Sequence, residues 1–238
     1  MLWAETNLKV AIEKSSRFDF DAVANEYDQW YKSAKSRMYD RLEKKAVRRY
    51  LPPSAKGKKL LEVGCGTGHW SRYFSEYGFE VTGVDISERM IDIAKSKNIP
   101  NALFQVADSH SLPFADETFD VTAAITTLEF VRDAEAVIRE MIRCTRKPGG
   151  QLLVGVLNAM ARLNRNRKQS PESPYTKAQL FSPSQLKQLL EPFGRLAMVT
   201  SGFVPNQKLF LLLAPVIDTI GRTLRIPYGA FIAAQVRL

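Results

Sequence analysis

Strands alternating with helices, a glycine-rich turn closing the first strand and a carboxylate closing the second predict an α/β domain with an open, doubly wound, mostly parallel sheet. The first strand, KLLEV from Lys59, runs straight into glycines at every second position, Gly64, Gly66 and Gly68. Lacking a Cβ, such a turn can bend sharply out of a strand and come into contact with a ligand. The second strand, EVTGVD, ends on Asp85, seventeen residues beyond Gly68.

The remaining elements follow in order. Phe20, Val23, Ala24, Tyr27, Trp30 and Tyr31 recur at helical spacing, so FDAVANEYDQWY reads as an amphipathic helix with an aromatic face. A second helix begins near Arg37 and stops before Pro52 and Pro53, which cannot continue it. Residues 1–56 are thus expected to form a helical N-terminal cap or lid, and 57–238 the cofactor-binding domain. After the glycines a helix is expected over about Thr67 to Tyr77, ending at Gly78. The next opens at Ser87, which can cap it and leave Asp85 free. Another starts near Asp133 and ends before Pro148. Asn158 to Lys177, basic and poor in apolar residues, reads as a long loop. Ser182 and Gln185 form a capping box with Pro183 at the first helical position. LAMVTSGFV and GAFIAAQVRL are strand-like, and between them 204–228 forms a mostly apolar insertion.

The glycine spacing separates cofactor classes. A dinucleotide fingerprint needs G-x-G-x-x-G, but the sixth position from Gly64 is His69 and from Gly66 is Ser71. A phosphate-cradling loop needs a lysine after the glycines, and none follows before Lys95. The pattern E-x-G-x-G-x-G from Glu62 resembles motif I of the class I S-adenosylmethionine (SAM) methyltransferases. ALFQVADSHSLPF, FDVTAAITTLEFV and PGGQLLVGVLN resemble that family's later motifs in order and spacing, so the likeness spans about Lys59 to Asn158. The whole-chain pattern looks most like the type 11 branch that includes ubiquinone and menaquinone methyltransferases.

The resemblance implies a Rossmann-like, seven-stranded sheet with an antiparallel last strand, and S-adenosyl-L-methionine as cofactor, with S-adenosyl-L-homocysteine as product. It assigns the turn from Glu62 through Gly64, Cys65, Gly66, Thr67 and Gly68 to the cofactor, and Asp85 to the ribose, followed by Ile86 and Met90. Asp108, between Ala107 and Ser109, is implied as receiver of the adenine amino group. Tyr27 and Tyr31 of the cap and Thr126 after the fourth strand complete the implied cofactor set. Catalytic candidates are Glu129, at the carboxyl end of the fourth strand where such sheets bind ligands, together with Tyr27 and Tyr39 of the cap. Each has a purely structural alternative, a helix-start charge for Glu129 and stripe packing for the tyrosines. His69 and His110, the only histidines, fall in cofactor-side segments, where contact with cofactor or solvent is the commoner role than base catalysis.

Composition bounds the function further. Two cysteines, Cys65 and Cys144, match neither a metal site nor a disulfide framework, which suits a reducing cytoplasm. No secretory signal is visible, and the longest apolar run, Leu209 to Ile217, is far shorter than the ~20 residues of a membrane span. The net charge of +9 is uneven: residues 146–238 hold 13 Lys and Arg against 3 Asp and Glu, and 1–145 are nearly balanced. An apolar run beside Arg162, Arg165, Arg167, Lys168, Arg222 and Arg225 suits an amphiphilic, anionic acceptor or peripheral contact with an anionic membrane. The alternative is a buried helix with solvated arginines. Nucleic acid is disfavoured, because the fourth strand reads Ile125-Thr126-Thr127-Leu128 where exocyclic amino methylases carry a proline-based motif, and RLNRNRK lacks interleaved aromatics. The expected activity is methyl transfer to a small-molecule acceptor. The rival readings are an RNA or protein methyltransferase docking through the basic third, and a catalytically silent SAM-binding module. Oligomeric state is not written in the sequence.

Overall fold

The computed structural model describes residues 15–169, 174–204 and 208–238. Residues 1–14 of the expected cap and 205–207 of the expected insertion lie outside the described residues, as do 170–173 of the expected loop.

Seven strands form one sheet: β1 Lys59–Val63, β2 Glu80–Asp85, β3 Ala102–Val106, β4 Val121–Ile125, β5 Gln151–Leu157, β6 Arg195–Ser201 and β7 Phe231–Arg237. Their spatial order is β3-β2-β1-β4-β5-β7-β6. The first five pair in parallel, and β7 runs antiparallel between β5 and β6. β7 is therefore the antiparallel strand expected from the resemblance. The order reverses at β1, whose neighbours are β2 and β4, so the crevice of this sheet opens where those three strands end.

Alternation along β1 divides the core. Leu60 faces a cluster with Trp70, Phe74, Phe79 and Phe231, and Leu61 faces the opposite one with Ile138, Met141 and Leu186. α1 Ala34–Arg48 and α2 His69–Tyr77 supply the first cluster and α4 Ala134–Cys144 the second, while α3 Glu88–Ser96 buries Met90, Ile91 and Ala94. The expected caps are in place: Ser87 Oγ accepts from Met90 N at 3.1 Å, and Asp133 Oδ1 from Ala136 N at 3.0 Å. After α5 Arg162–Gln169, α6 Pro183–Leu190 opens with the Ser182/Gln185 capping box. α7 Ala214–Thr223 completes the set.

Three expectations are corrected. FDAVANEYDQWY is not one helix but two 3₁₀ turns, Asp21–Val23 and Tyr27–Tyr31. Its carboxylates are committed elsewhere: Asp21 accepts from Ser87 Oγ at 2.5 Å and Asp28 from Thr67 Oγ1 at 2.6 Å, which bends the segment over the sheet's crevice. α1 lies on the sheet rather than over it, because its stripe Tyr39, Leu42, Ala46 and Val47 is buried, and Ala46 and Val47 share a core with Leu60. The expected loop Asn158 to Lys177 contains α5 and a 3₁₀ turn Pro174–Lys177. α5 is held by polar anchoring: the buried Asn164 Nδ2 donates to Asn158 O at 3.0 Å and Ala230 O at 2.7 Å. Apolar periodicity carries no trace of such a helix.

The insertion is not a buried helix closing the sheet edge either. α7 is pinned by Asp218, fully buried, which accepts from Ser201 Oγ at 2.9 Å and Gly202 N at 2.7 Å and pairs with Arg222 at 2.8 Å. Val216 and Ile220 on its outer face are exposed, as are Leu212 before it and Leu224 after it.

Candidate active site

Gly64, Gly66 and Gly68 all adopt positive φ, at 71°, 51° and 81°. That conformation turns successive amides toward the end of β2: Gly64 N and Cys65 N donate to Val84 O at 2.8 and 2.9 Å. Gly66 N donates to Asp85 Oδ2 at 2.8 Å, and Ser87 N to Asp85 Oδ1 at 2.9 Å. Burial pushes the Asp85 carboxyl above its ordinary value despite these bonds. Asp108, after β3, accepts from Ser15 Oγ at 2.5 Å and from His110 N and Nδ1 at 2.9 Å. Burial raises its pKa, but those donors outweigh it and hold the carboxyl below the ordinary range.

A cleft runs along the ends of β1, β2 and β4. Of the expected cofactor residues, Tyr27, Gly64, Gly66, Asp85, Ile86, Met90, Ala107, Ser109 and Thr126 line it. The others stand behind or beside it. Glu62 is buried and accepts from Ser71 Oγ at 2.5 Å, with burial pushing its carboxyl up to about 8. Cys65 is buried. Thr67 Oγ1 donates to Asp28, Gly68 caps α2, and Asp108 turns to Ser15 and His110. Tyr31 stacks on His69 with ring centroids 3.7 Å apart. These six therefore shape the turn and its surroundings rather than face the cleft. The outer wall includes Ser15, Ser16, Phe20, Thr127 and Phe130, which sequence reasoning missed. Phe130 lies in the motif run after β4 and could have been found there, but nothing in the sequence points to Ser15 or Ser16.

A second cavity, of about 470 Å³, lies between the cap, α1 and the ends of β4 and β5. The rings of Tyr27, Trp30, Tyr31, Tyr39, Trp70 and Tyr175 surround it, with Asp40, Glu43 and Arg167 among them. Tyr27 and Thr126 line both cavities, so the two spaces meet at these residues. Thr126 has φ +52°, a conformation that costs a non-glycine residue about 1–2 kcal/mol. Its amide bonds Gly155 O at 2.7 Å, which helps to hold that turn at the end of β4. Burial pushes the Tyr27 phenol up to about 12, so it stays protonated.

The remaining catalytic candidates fall unequally. Tyr39 lines the second cavity. Glu129 lines neither cavity: it is fully buried, and its Oε1 accepts from Leu157 N at 2.5 Å, tying the end of β4 to that of β5. Burial pushes it up to about 8, so it is a neutral strut rather than a group facing substrate. His69 Nε2 lies 2.7 Å from Asp40 and 3.1 Å from Lys44 Nζ, and His110 is engaged with Asp108. Neither histidine lines the two cavities. Asp40, Glu43 and Tyr175 were not anticipated, since the cavity they share is formed by α1 and the 3₁₀ turn Pro174–Lys177, which are far apart in the sequence.

A family model described as a methyltransferase domain matches residues 35–195, about two thirds of the chain. The chain belongs to the methyltransferase-domain family. A solved SAM-dependent methyltransferase of Thermotoga maritima, described as a possible histamine N-methyltransferase, is 26% identical with a TM-score of 0.72. That match covers 92% of this methyltransferase and 97% of the other chain. Among curated relatives, a demethylmenaquinone methyltransferase of Corynebacterium kroppenstedtii is 36% identical over 57% of this chain and 56% of its own length. A ubiquinone biosynthesis O-methyltransferase of Coxiella burnetii is 33% identical over 58% of this chain and 64% of its own length. The matched region thus spans little more than half of those two relatives. The matched domain has the class I fold of the SAM-dependent methyltransferases. Its cleft fits the cofactor: the glycine turn is anchored to Asp85, and a Cβ on Gly66 would project toward the Tyr27 ring at 3.8 Å, across space a ligand needs.

Proposed function

We propose that this methyltransferase transfers a methyl group to a small molecule held in the aromatic cavity. The observation that carries the reading is that cofactor cleft and aromatic cavity share Tyr27 and Thr126. Asp85, Ile86, Met90 and the glycine turn would hold S-adenosylmethionine, which supplies a methyl already activated by its sulfonium charge. The protein then has to align the acceptor and exclude water, and alignment alone can supply about 7–11 kcal/mol of barrier reduction. The rings of Tyr27 and Trp30, stacked with centroids 5.9 Å apart, and of Tyr175, 5.2 Å from Trp30, form an aromatic wall on one side of the cavity. A cavity of about 470 Å³ is the size of a small-molecule pocket. The relatives named for quinone substrates support a small acceptor. The test is incubation of the purified enzyme with methyl-labelled cofactor and fractionated cell extract. Label should appear in the low-molecular-weight fraction; label retained only by RNA or protein would sink the proposal.

A second reading concerns where the enzyme works. We propose peripheral contact with an anionic, cytoplasmic membrane surface, supported by the exposed apolar face of α7 beside the exposed Arg162, Arg165, Lys168 and Arg225. The basic third then serves the membrane, and among the described residues Arg167 is the one of its cations that lines the aromatic cavity. Among the described residues no helix is long and apolar enough to cross a membrane.

A further inference from the structure

The second cavity holds a carboxylate with nothing to donate to it. Glu43, on the cavity-facing side of α1, accepts no hydrogen bond from the described residues, although burial and the Arg167 charge both act on it. Its neighbour Asp40 is different, being bonded to His69 at 2.7 Å and to Lys44 at 2.9 Å. When ionised, the Glu43 carboxylate only accepts, so a ligand that pairs with that form has to bring an N–H or O–H donor. The surrounding rings decide which. Arg167 lies over Tyr39 and Tyr175, 6.0 and 5.5 Å from their centroids, and Lys44 lies 5.7 Å from the Trp70 ring. Those contacts show that the cavity's rings hold cations within the protein itself, with Arg167 and Lys44 on Tyr39, Tyr175 and Trp70, and Tyr27 and Trp30, stacked on each other, are the further rings of the cavity.

Resting on the methyl-transfer reading above, we propose that the acceptor is a small, ring-bearing amine, bound as its ammonium between the aromatic faces and Glu43, and methylated on nitrogen. Burial, which pushes the Glu43 carboxyl up to about 7, suits it to take a proton from the ammonium near neutral pH. The proton passes from nitrogen to a Glu43 oxygen and on to solvent, the freed lone pair becomes the new N–C bond, and the C–S pair returns to sulfur. The products are the methylated amine and S-adenosylhomocysteine. Positive charge moves from sulfur to nitrogen without being lost, so the aromatic walls and the carboxylate favour the transition state as well as the bound ammonium.

The test uses the full chain saturated with S-adenosylhomocysteine and three probes of one shape: 2-phenylethylammonium, 2-phenylethanol and phenylacetate. Binding is read from the fluorescence of Trp30 and Trp70, which line the cavity, and by calorimetry. The ammonium should bind about tenfold more tightly than the alcohol, with phenylacetate weakest. Glu43→Gln should remove most of that preference and leave the affinity for S-adenosylhomocysteine unchanged, which also shows that the variant is folded. Equal affinities for the three probes, no binding by any of them, preference for phenylacetate, or a preference that survives Glu43→Gln would each overturn the amine assignment. Failure to bind S-adenosylhomocysteine at all would instead refute the methyl-transfer reading beneath it.

Discussion

Gly64 and Gly66 both sit at positive φ, yet they answer to different neighbours. A Cβ on Gly64 would lie 2.2 Å from Thr127 Cγ2 and 2.9 Å from its Cβ, and Thr127 is pinned by a bond to Val63 O at 3.1 Å. A Cβ on Gly66 meets only the Tyr27 ring at 3.8 Å. Gly64→Ala should therefore lower the melting temperature more than Gly66→Ala, whose backbone penalty is about 1–2 kcal/mol. Gly66→Ala should instead weaken S-adenosylhomocysteine binding; melting and calorimetry on both variants check the order. Asp85→Ala removes an acceptor at the end of β2 and should weaken the same binding by about 1–3 kcal/mol, with no binding of NAD in either protein. Glu129 makes a pH prediction. Its carboxyl is raised from 4.5 to about 8, so between those values the folded state keeps a proton that the unfolded chain releases. Its stabilising contribution is complete below about pH 4.5 and is lost as pH rises toward 8, by at most about 1.4 kcal/mol per pH unit. The melting-temperature difference between Glu129→Gln and the parent should move in favour of the variant from pH 5 to pH 8. A difference independent of pH would show that Glu129 is ionised in the fold.

At the scale of elements, the segment from Ser15 to Tyr31 behaves as a strap across the cofactor cleft. Ser15 reaches Asp108, Asp21 reaches Ser87, and Asp28 reaches both Thr67 and Lys97, the last at 2.6 Å. Every partner sits beside one of the three cofactor motifs. Opening the strap should therefore loosen cofactor binding without unfolding the sheet. Asp28→Ala should weaken S-adenosylhomocysteine binding by about 1 kcal/mol and speed amide exchange across 20–31, with the core strands unchanged. Identical affinity and exchange in the variant would show that strap and cofactor are independent.

Across the whole molecule, charge and apolar surface segregate together. Leu212 is 87% exposed and Leu224 67%, on the same basic third of the chain. Neither is needed for packing, so replacing Leu212 and Leu224 by Asn should leave stability unchanged. The parent should float with vesicles of anionic phosphatidylglycerol and not with neutral phosphatidylcholine, less so at high salt, and the double variant should float with neither. Flotation independent of lipid charge and salt would remove the electrostatic part of the reading.

The sequence by itself determined the sheet class, the glycine turn, the Asp85 end of β2 and the helix caps. Each of these is a local matter: a strand's alternation, a φ that only glycine adopts cheaply, a side chain bonding an amide three residues on. Most of the lining of the first cleft was legible for the same reason, because its residues fall within short motifs at strand ends. What only the tertiary structure decided is the aromatic cavity proposed for the acceptor. Glu43 comes from α1, Arg167 from α5 and Tyr175 from the turn after it, and no spacing along the chain joins them. The cap's 3₁₀ turns and the Asn164 anchor of α5 are likewise set by hydrogen bonds to distant residues, which outweigh local propensity. Glu129 shows the same limit from the other side: its place after β4 suggested a substrate contact, and a bond to the end of β5 made it a buried strut.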